Sequence, residues 1–193
     1  GEQQSILDKA LAQLESRAKN LNMKLLDELR DAALISSIER DLTLDVAHAI
    51  VEGGGQLAIL GQGESQIEAQ VRQLAEQYPG QVGAHIGFNE TDARRLFAGS
   101  DFLLMPSRFE PCGLSQMYAQ RFASLPIARR TGGLADTIED GVTGFLFGEA
   151  SLKGLSGAIR RAFDTFASKR RLSAMRRSAM AREFGWNQAA DGY

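Results

Sequence analysis

From residue 56 onward the chain alternates short apolar runs with longer amphipathic segments, and this alternation narrows the possible folds more than any single residue does. The runs at 56–60, 82–86, 102–105, 125–128 and 144–147 predict strands. The segments at 65–77, 91–98, 114–122, 155–166 and 172–184 place apolar residues at helical spacing. Phe102-Leu103-Leu104-Met105 is apolar at every position, as a parallel strand buried on both faces requires. The reading is an α/β protein with a doubly wound (Rossmann-like) parallel sheet covered by helices. Ligands of such sheets collect beyond the carboxyl ends of the strands. The segments expected there are 61–63, 87–90, 107–115 and 129–137.

The first quarter of the chain has a different texture. Residues 2–52 contain neither glycine nor proline. Ser5 is suited to cap a helix that carries Ile6, Leu7, Ala10, Leu11 and Leu14 on one face, and Leu21, Leu25, Leu26 and Leu29 continue the pattern. Residues 32–38 fit either a short strand or more helix. Residues 41–51 are helical in pattern and stop at Gly53-Gly54-Gly55. The expected division is a helical N-terminal appendage over 1–31 and a Rossmann-like domain over 32–193.

Bulk properties exclude several classes. At 193 residues the chain can bury one sizeable core. Its net charge of −2 provides no general attraction to nucleic acid or to an anionic membrane. Cys112 is the only cysteine, so no internal disulfide framework exists. No apolar run approaches the roughly 20 residues of a membrane helix, and no signal-peptide pattern opens the chain. The chain begins with Gly1 rather than Met. The expectation is a cytoplasmic protein with no nucleic-acid or membrane partner.

The stretch that carries chemistry follows the strand at 102–105: Ser107-Arg108-Phe109-Glu110-Pro111-Cys112-Gly113-Leu114-Ser115-Gln116-Met117-Tyr118. Glu110 and Cys112 fall in the loop, and residues 113–115 at a helix start, where free N–H groups suit a phosphate. Gly61-Gln62-Gly63 lacks the third glycine of a dinucleotide fingerprint and reads as a chain turn. His48 and His85 have no ligand set at metal spacing and read as structural, and no metal site is expected. Cys112 has no base placed near it by the sequence, which argues against a nucleophile. The basic residues Arg160, Arg161, Lys169, Arg170, Arg171, Arg176 and Arg177 fall mostly opposite apolar helix faces and read as a solvated surface.

Three stretches together resemble the bacterial glycogen and starch synthases, retaining glucosyltransferases that use ADP-glucose. They are the one from Ser107 to Leu114, then Arg129-Arg130-Thr131-Gly132-Gly133-Leu134-Ala135-Asp136-Thr137, and Gly53-Gly54-Gly55-Gln56-Leu57-Ala58-Ile59-Leu60-Gly61-Gln62-Gly63. The resemblance runs from about residue 41 to the end and is to the C-terminal, donor-binding half of the GT-B fold. It implies that Glu110 faces the glucosyl ring and the reacting centre as the catalytic residue. Cys112, Gly113 and Leu114 would line the glucose and phosphate site, and Ser115 would meet the distal phosphate where the family usually has threonine. Phe88 would stack on adenine in place of a tyrosine. Arg108, Tyr118, Thr131 and Gly132 complete the implied donor site. No cofactor is implied; ADP-glucose is the donor substrate.

The same resemblance exposes departures. The family's first strand in this half ends in a loop of the type S-R-L-T-x-Q-K-G, whose cations neutralise the diphosphate. Without gaps that loop falls on residues 32–39, where the arginine becomes Ala33 and the lysine Ile38. One donor to a leaving group is commonly worth about 3 kcal/mol. The implied partners are a nucleotide sugar and an α-glucan acceptor held by an absent N-terminal domain. The chain alone is therefore expected to be weak or inactive in transfer. The alternative reading is a non-catalytic glycosyltransferase-like module that self-associates, or binds a partner, through its N-terminal leucines; another is a transferase with a different nucleotide sugar.

Overall fold

The computed structural model describes residues 34–35, 40–87 and 89–184. The expected appendage over 1–31, together with Ala33, Ile38 and Phe88, lies outside the described residues. Six strands and seven helices follow one another among the described residues: β1 (Leu34–Ile35), α1 (Arg40–Glu52), β2 (Leu57–Gly61), α2 (Ser65–Gln77), β3 (Val82–Ile86), α3 (Glu90–Gly99) and β4 (Phe102–Met105), then α4 (Ser115–Arg121), β5 (Leu125–Arg129), α5 (Gly132–Thr137), β6 (Phe145–Phe147), α6 (Leu152–Phe166) and α7 (Lys169–Met180). All recorded strand pairs are parallel: β1 with β4, β4 with β5, β5 with β6, and β2 with β3. β1 also lies beside β2, so the spatial order is β3-β2-β1-β4-β5-β6. This is the order of a doubly wound dinucleotide-type sheet, and its topological switch point falls between β1 and β4.

The two faces of the sheet are filled by alternate residues of the same strands, because successive side chains of a strand point to opposite sides. Leu57 and Ile59 of β2, Phe102 and Leu104 of β4, Leu125 and Ile127 of β5, and Phe145 and Phe147 of β6 join one core. Helices α1, α2, α6 and α7 cover that face through Val46, Val71, Leu155 and Met175, among others. Leu60, Leu103, Met105, Ala128 and Leu146 face the other way, into a second core closed by α3, α4 and α5. The uninterrupted apolar character of residues 102–105 follows from this arrangement, since all four are buried.

Helix ends obey local chemistry. The Gly53-Gly54-Gly55 run ends α1: Gly54 has φ +81°, its N–H donates to Val51 O at 3.0 Å, and Gly55 N–H donates to Ile50 O at 2.9 Å. This is a Schellman stop with glycine in the left-handed position. Asn89 caps α3 by accepting from Asp92 N–H, and Ser151 caps α6 by accepting from Gly154 N–H. Two differences from the sequence reading stand out. Residues 132–137, read as loop, form the short helix α5, because Leu134 is fully buried on the second core. The last helix ends at Met180 rather than 184; Arg121 of α4 donates to the Met180 carbonyl at 2.7 Å and satisfies the helix end from outside.

His48 is structural, as expected: its Nδ1 lies 2.6 Å from the Tyr78 hydroxyl, and the rings meet edge to face. The basic residues are only in part a solvated surface. Arg160, Lys169, Arg170 and Arg171 are exposed. Arg161 is exposed too but holds Asp140 and the Leu146 carbonyl, whereas the sheltered Arg176 pairs with Asp101 at the start of β4.

Candidate functional site at the switch point

The site grows from the carboxyl end of β4. Pro106 and Ser107 continue the buried strand direction, and the chain emerges at Arg108 and Phe109, both exposed. From there residues 110–114 cross the top of the sheet to α4, and residues 130–131 leave β5 for α5 beside them. Two sequence motifs separated by some twenty residues thus meet above adjacent strands.

Their contact is backbone on backbone. Gly133 N–H donates to the Glu110 carbonyl at 3.0 Å. A Cβ added to Gly132, whose φ is +42°, would lie 2.1 Å from Glu110 O; one added to Gly133 would lie 2.0 Å from Cys112 O. Both glycines are therefore required by close approach, and Gly132 also by its left-handed conformation. Arg129 at the end of β5 adds a third tie, donating through Nη1 to Arg108 O at 2.5 Å.

A side-chain network fixes the loop from below. Gln116 and Gln120 of α4 are both fully buried. Gln116 Nε2 lies 3.1 Å from Cys112 O, 2.8 Å from Gly113 O and 3.1 Å from Thr137 Oγ1. Thr137 Oγ1 donates to Gly133 O at 2.5 Å, and Gln120 Nε2 reaches the Gln116 and Thr137 carbonyls, each at 3.2 Å. The two Nε2 groups are engaged, while Gln116 Oε1 and Gln120 Oε1 are buried without a partner among the described residues. The donor side of the network is what ties the loop down.

That shape has a chemical consequence. In a trans peptide the C=O of one residue and the N–H of the next point in opposite directions. The Cys112 and Gly113 carbonyls point at Gln116, so the Gly113 and Leu114 N–H groups point away from it. Neither N–H donates to another described residue. Gly113 is left-handed at φ +65° and Leu114 is right-handed at φ −109°, ψ −29°. Successive residues of this pairing form a concavity of N–H groups that suits an anion.

Of the residues singled out in the sequence, Glu110, Cys112, Gly113, Thr131 and Gly132 are brought together here, with Glu110 half-buried and Cys112 exposed. Leu114 and Ser115 follow directly, Leu114 at the cap position of α4. Tyr118 sits one turn further on; its ring lies 6.3 Å from that of Phe97 and half of it is exposed. Among the described residues, no cluster of three metal-ligating side chains exists, and no helix is long and apolar enough to cross a membrane. Gln116, Thr137 and Arg129 stand in the quoted sequence stretches but received no role there, and Gln120 was passed over. A signal was available: Gln116 and Gln120 share the inward stripe of α4 with Ala119, and a polar residue on a core stripe must bind something.

The geometry defines a class before it defines a relative: a Rossmann-like α/β domain with an N–H-rich loop at the switch point, locked to a neighbouring glycine pair. The chain belongs to the glycosyl transferases group 1 family, whose model matches residues 41–178. It is 65% identical over 153 residues to the glycogen synthase of Pseudomonas syringae pv. syringae, covering 79% of this chain and 32% of that protein. It is 63% identical over the same length to the glycogen synthase of Xanthomonas campestris pv. campestris, again covering 79% and 32%. The chain thus spans about a third of the length of these curated relatives. Among solved structures it resembles the catalytic domain of starch synthase IV from Arabidopsis thaliana, bound to ADP and acarbose. That match has a TM-score of 0.78 and 28% identity, covering 97% of this chain and 42% of that one. The architecture is that of GT-B glycosyltransferases, as the resemblance implied.

Proposed function

We propose that this chain forms the donor-binding part of a glycogen synthase-type glucosyltransferase, which moves glucose from ADP-glucose to the end of an α-1,4-glucan with retention. The observation that carries the reading is the loop over residues 110–114, which is locked to the Gly132-Gly133 turn and presents two N–H groups outward at the switch point. In this reading the Gly113 and Leu114 N–H groups, with the Ser115 hydroxyl beyond them, receive the diphosphate. Glu110 faces the glucosyl ring, Cys112 lines the sugar site, Thr131 and Gly132 form the adjoining wall, and Tyr118 borders it. Phe88 stacks on the base, and Arg108 adds positive charge near the phosphates.

The chemistry asks for these groups. Loss of a nucleoside diphosphate with retention builds positive charge at the anomeric carbon and negative charge on the departing phosphate. Preorganised N–H donors aimed at the phosphate lower the barrier where that charge develops. A carboxylate beside the ring stabilises the opposite charge. The glucan acceptor is assigned to the two-thirds of the relatives' length that this chain does not span. Residues 32–193 are the proposed donor-binding unit.

The test is a thermal-shift series with ADP-glucose, UDP-glucose and GDP-glucose on the purified chain. A ligand that binds only the native state at a hundred times its Kd adds about 2.7 kcal/mol of stability. A rise in Tm with ADP-glucose that exceeds the other two is expected. Equal shifts with all three would leave a transferase of different donor specificity, and no shift with any would overturn the donor site.

A further inference from the structure

We infer that Gln116 is a positioning residue for the phosphate-binding loop. Its buried amide turns the Cys112 and Gly113 carbonyls inward and so sets the direction of the Gly113 and Leu114 N–H groups. The inference rests on the donor-site reading above but concerns residues outside it, since Gln116 is fully buried and cannot touch the donor.

Three features of the network support this role. The first is selectivity of direction. Gln116 Nε2 engages two successive carbonyls of the same loop, at 3.1 and 2.8 Å, and two successive carbonyls facing one donor oblige the two following N–H groups to face the other way. The second is the absence of slack. A Cβ on Gly113 would lie 2.4 Å from Gln116 Oε1, so the glutamine side chain fills the space under the loop and a side chain at 113 would displace it, besides straining a φ of +65°. The third is coupling to the other motif. Thr137 Oγ1 accepts from Gln116 while donating to Gly133 O, and Gly133 N–H holds Glu110 O. One buried amide therefore links the carbonyls behind the phosphate site to the peptide that carries the sugar-facing carboxylate.

A group acting in this way is distinguishable from one that merely adds stability. If Gln116 only stabilises the fold, its loss lowers affinity for every ligand alike or for none. If it aims the N–H groups, its loss weakens ligands in proportion to their phosphates. Gln116→Glu is the informative change, because it keeps the shape and removes the N–H donors. The carboxylate then faces Cys112 O, Gly113 O and Thr137 Oγ1, and both the burial and these oxygens disfavour its charged form. Protonated, the carboxyl regains one O–H donor, so phosphate binding returns as pH falls through the raised pKa of the buried Glu. Neither the parent chain nor Gln116→Met has such a group.

The experiment measures ADP affinity by calorimetry, and adenosine affinity by two-dimensional 15N–1H spectra, for the parent chain, Gln116→Glu, Gln116→Met and Thr137→Val. On the alkaline side of that titration we expect at least about tenfold weaker ADP binding by Gln116→Glu, equivalent to about 1.4 kcal/mol. Adenosine binding should be unchanged, and ADP binding should recover on acidification in Gln116→Glu alone. Thr137→Val should reproduce the selective loss of ADP at smaller size, and it carries the test if the glutamine variants do not fold. Equal weakening of ADP and adenosine, or ADP binding by Gln116→Glu that matches the parent at every pH, overturns the inference. A parent chain that binds adenosine but gains nothing from the phosphates refutes the donor-site reading itself, and the positioning role with it.

Discussion

Gly132 and Gly133 show most directly how a residue type can be dictated by its neighbour's backbone. Each packs so closely on residues 110–112 that a single methyl group would fall about 2 Å from a carbonyl oxygen. Backbone cannot swing aside as the end of a flexible side chain can, so either the loop or the turn must shift. Gly133→Ala should therefore cost about 2 kcal/mol or more, at the upper end of ordinary point substitutions. Gly132→Ala adds the strain of a left-handed φ. Urea denaturation midpoints would measure both, and a change within experimental error for Gly133→Ala would mean that the loop and turn are not held in contact. Both glycines stand out in the sequence as a pair. Their reason, the proximity of a segment twenty residues earlier, does not.

At the level of elements, the ends of helices and strands are tied by side chains that reach across the fold. Arg121 of α4 takes the last carbonyl of α7, and Arg161 of α6 spans Asp140 and the β6 backbone. Arg176 of α7 is paired with Asp101 at the entrance to β4, and the two side chains are only 16% and 18% exposed. Removing one partner of so sheltered a pair strands the other. Losing one partner of a fully buried pair costs 3–5 kcal/mol, and the residual access to water here lowers the expectation for Arg176→Ala to about 1–3 kcal/mol. The unfolding free energy from chemical denaturation measures it, and Arg176→Lys should recover part of the loss. A neutral result would mean that Asp101 is solvated in the native state. The basic spacing of α7 suggested a surface stripe. Only the packing of α7 against the sheet decided that Arg176 turns inward.

Over the whole molecule, two cores share one sheet. Leu103 and Leu104 are successive residues of β4, both essentially inaccessible, and they feed opposite cores. Because the strand itself joins the cores, they should melt together. Leu103→Ala and Leu104→Ala should each cost about 2–5 kcal/mol and shift a single unfolding transition. Far- and near-ultraviolet circular dichroism that separate into two transitions for either variant would show the cores to be independent. The fully apolar stretch at 102–105 announced this double burial, because a half-exposed strand would alternate.

Much of the architecture was determined by local pattern alone. Residues 65–77 and 82–86 form the helix and strand that their periodicity predicts, and α1 stops where three glycines end it. These features depend on side-chain period and on glycine's freedom at positive φ, which act within a few residues. Glu110, Cys112 and Gly113 were also identifiable, as a polar loop after a buried strand. What only the tertiary structure decided was how that loop is held. Its carbonyls turn inward because Gln116 and Gly133 come to meet them, and its N–H groups turn outward as a result. Gln116 lies only three and four residues from the carbonyls it meets, whereas the Gly133 bond to Glu110 joins distant segments, satisfies no sequence periodicity and becomes visible only once β4 and β5 lie side by side.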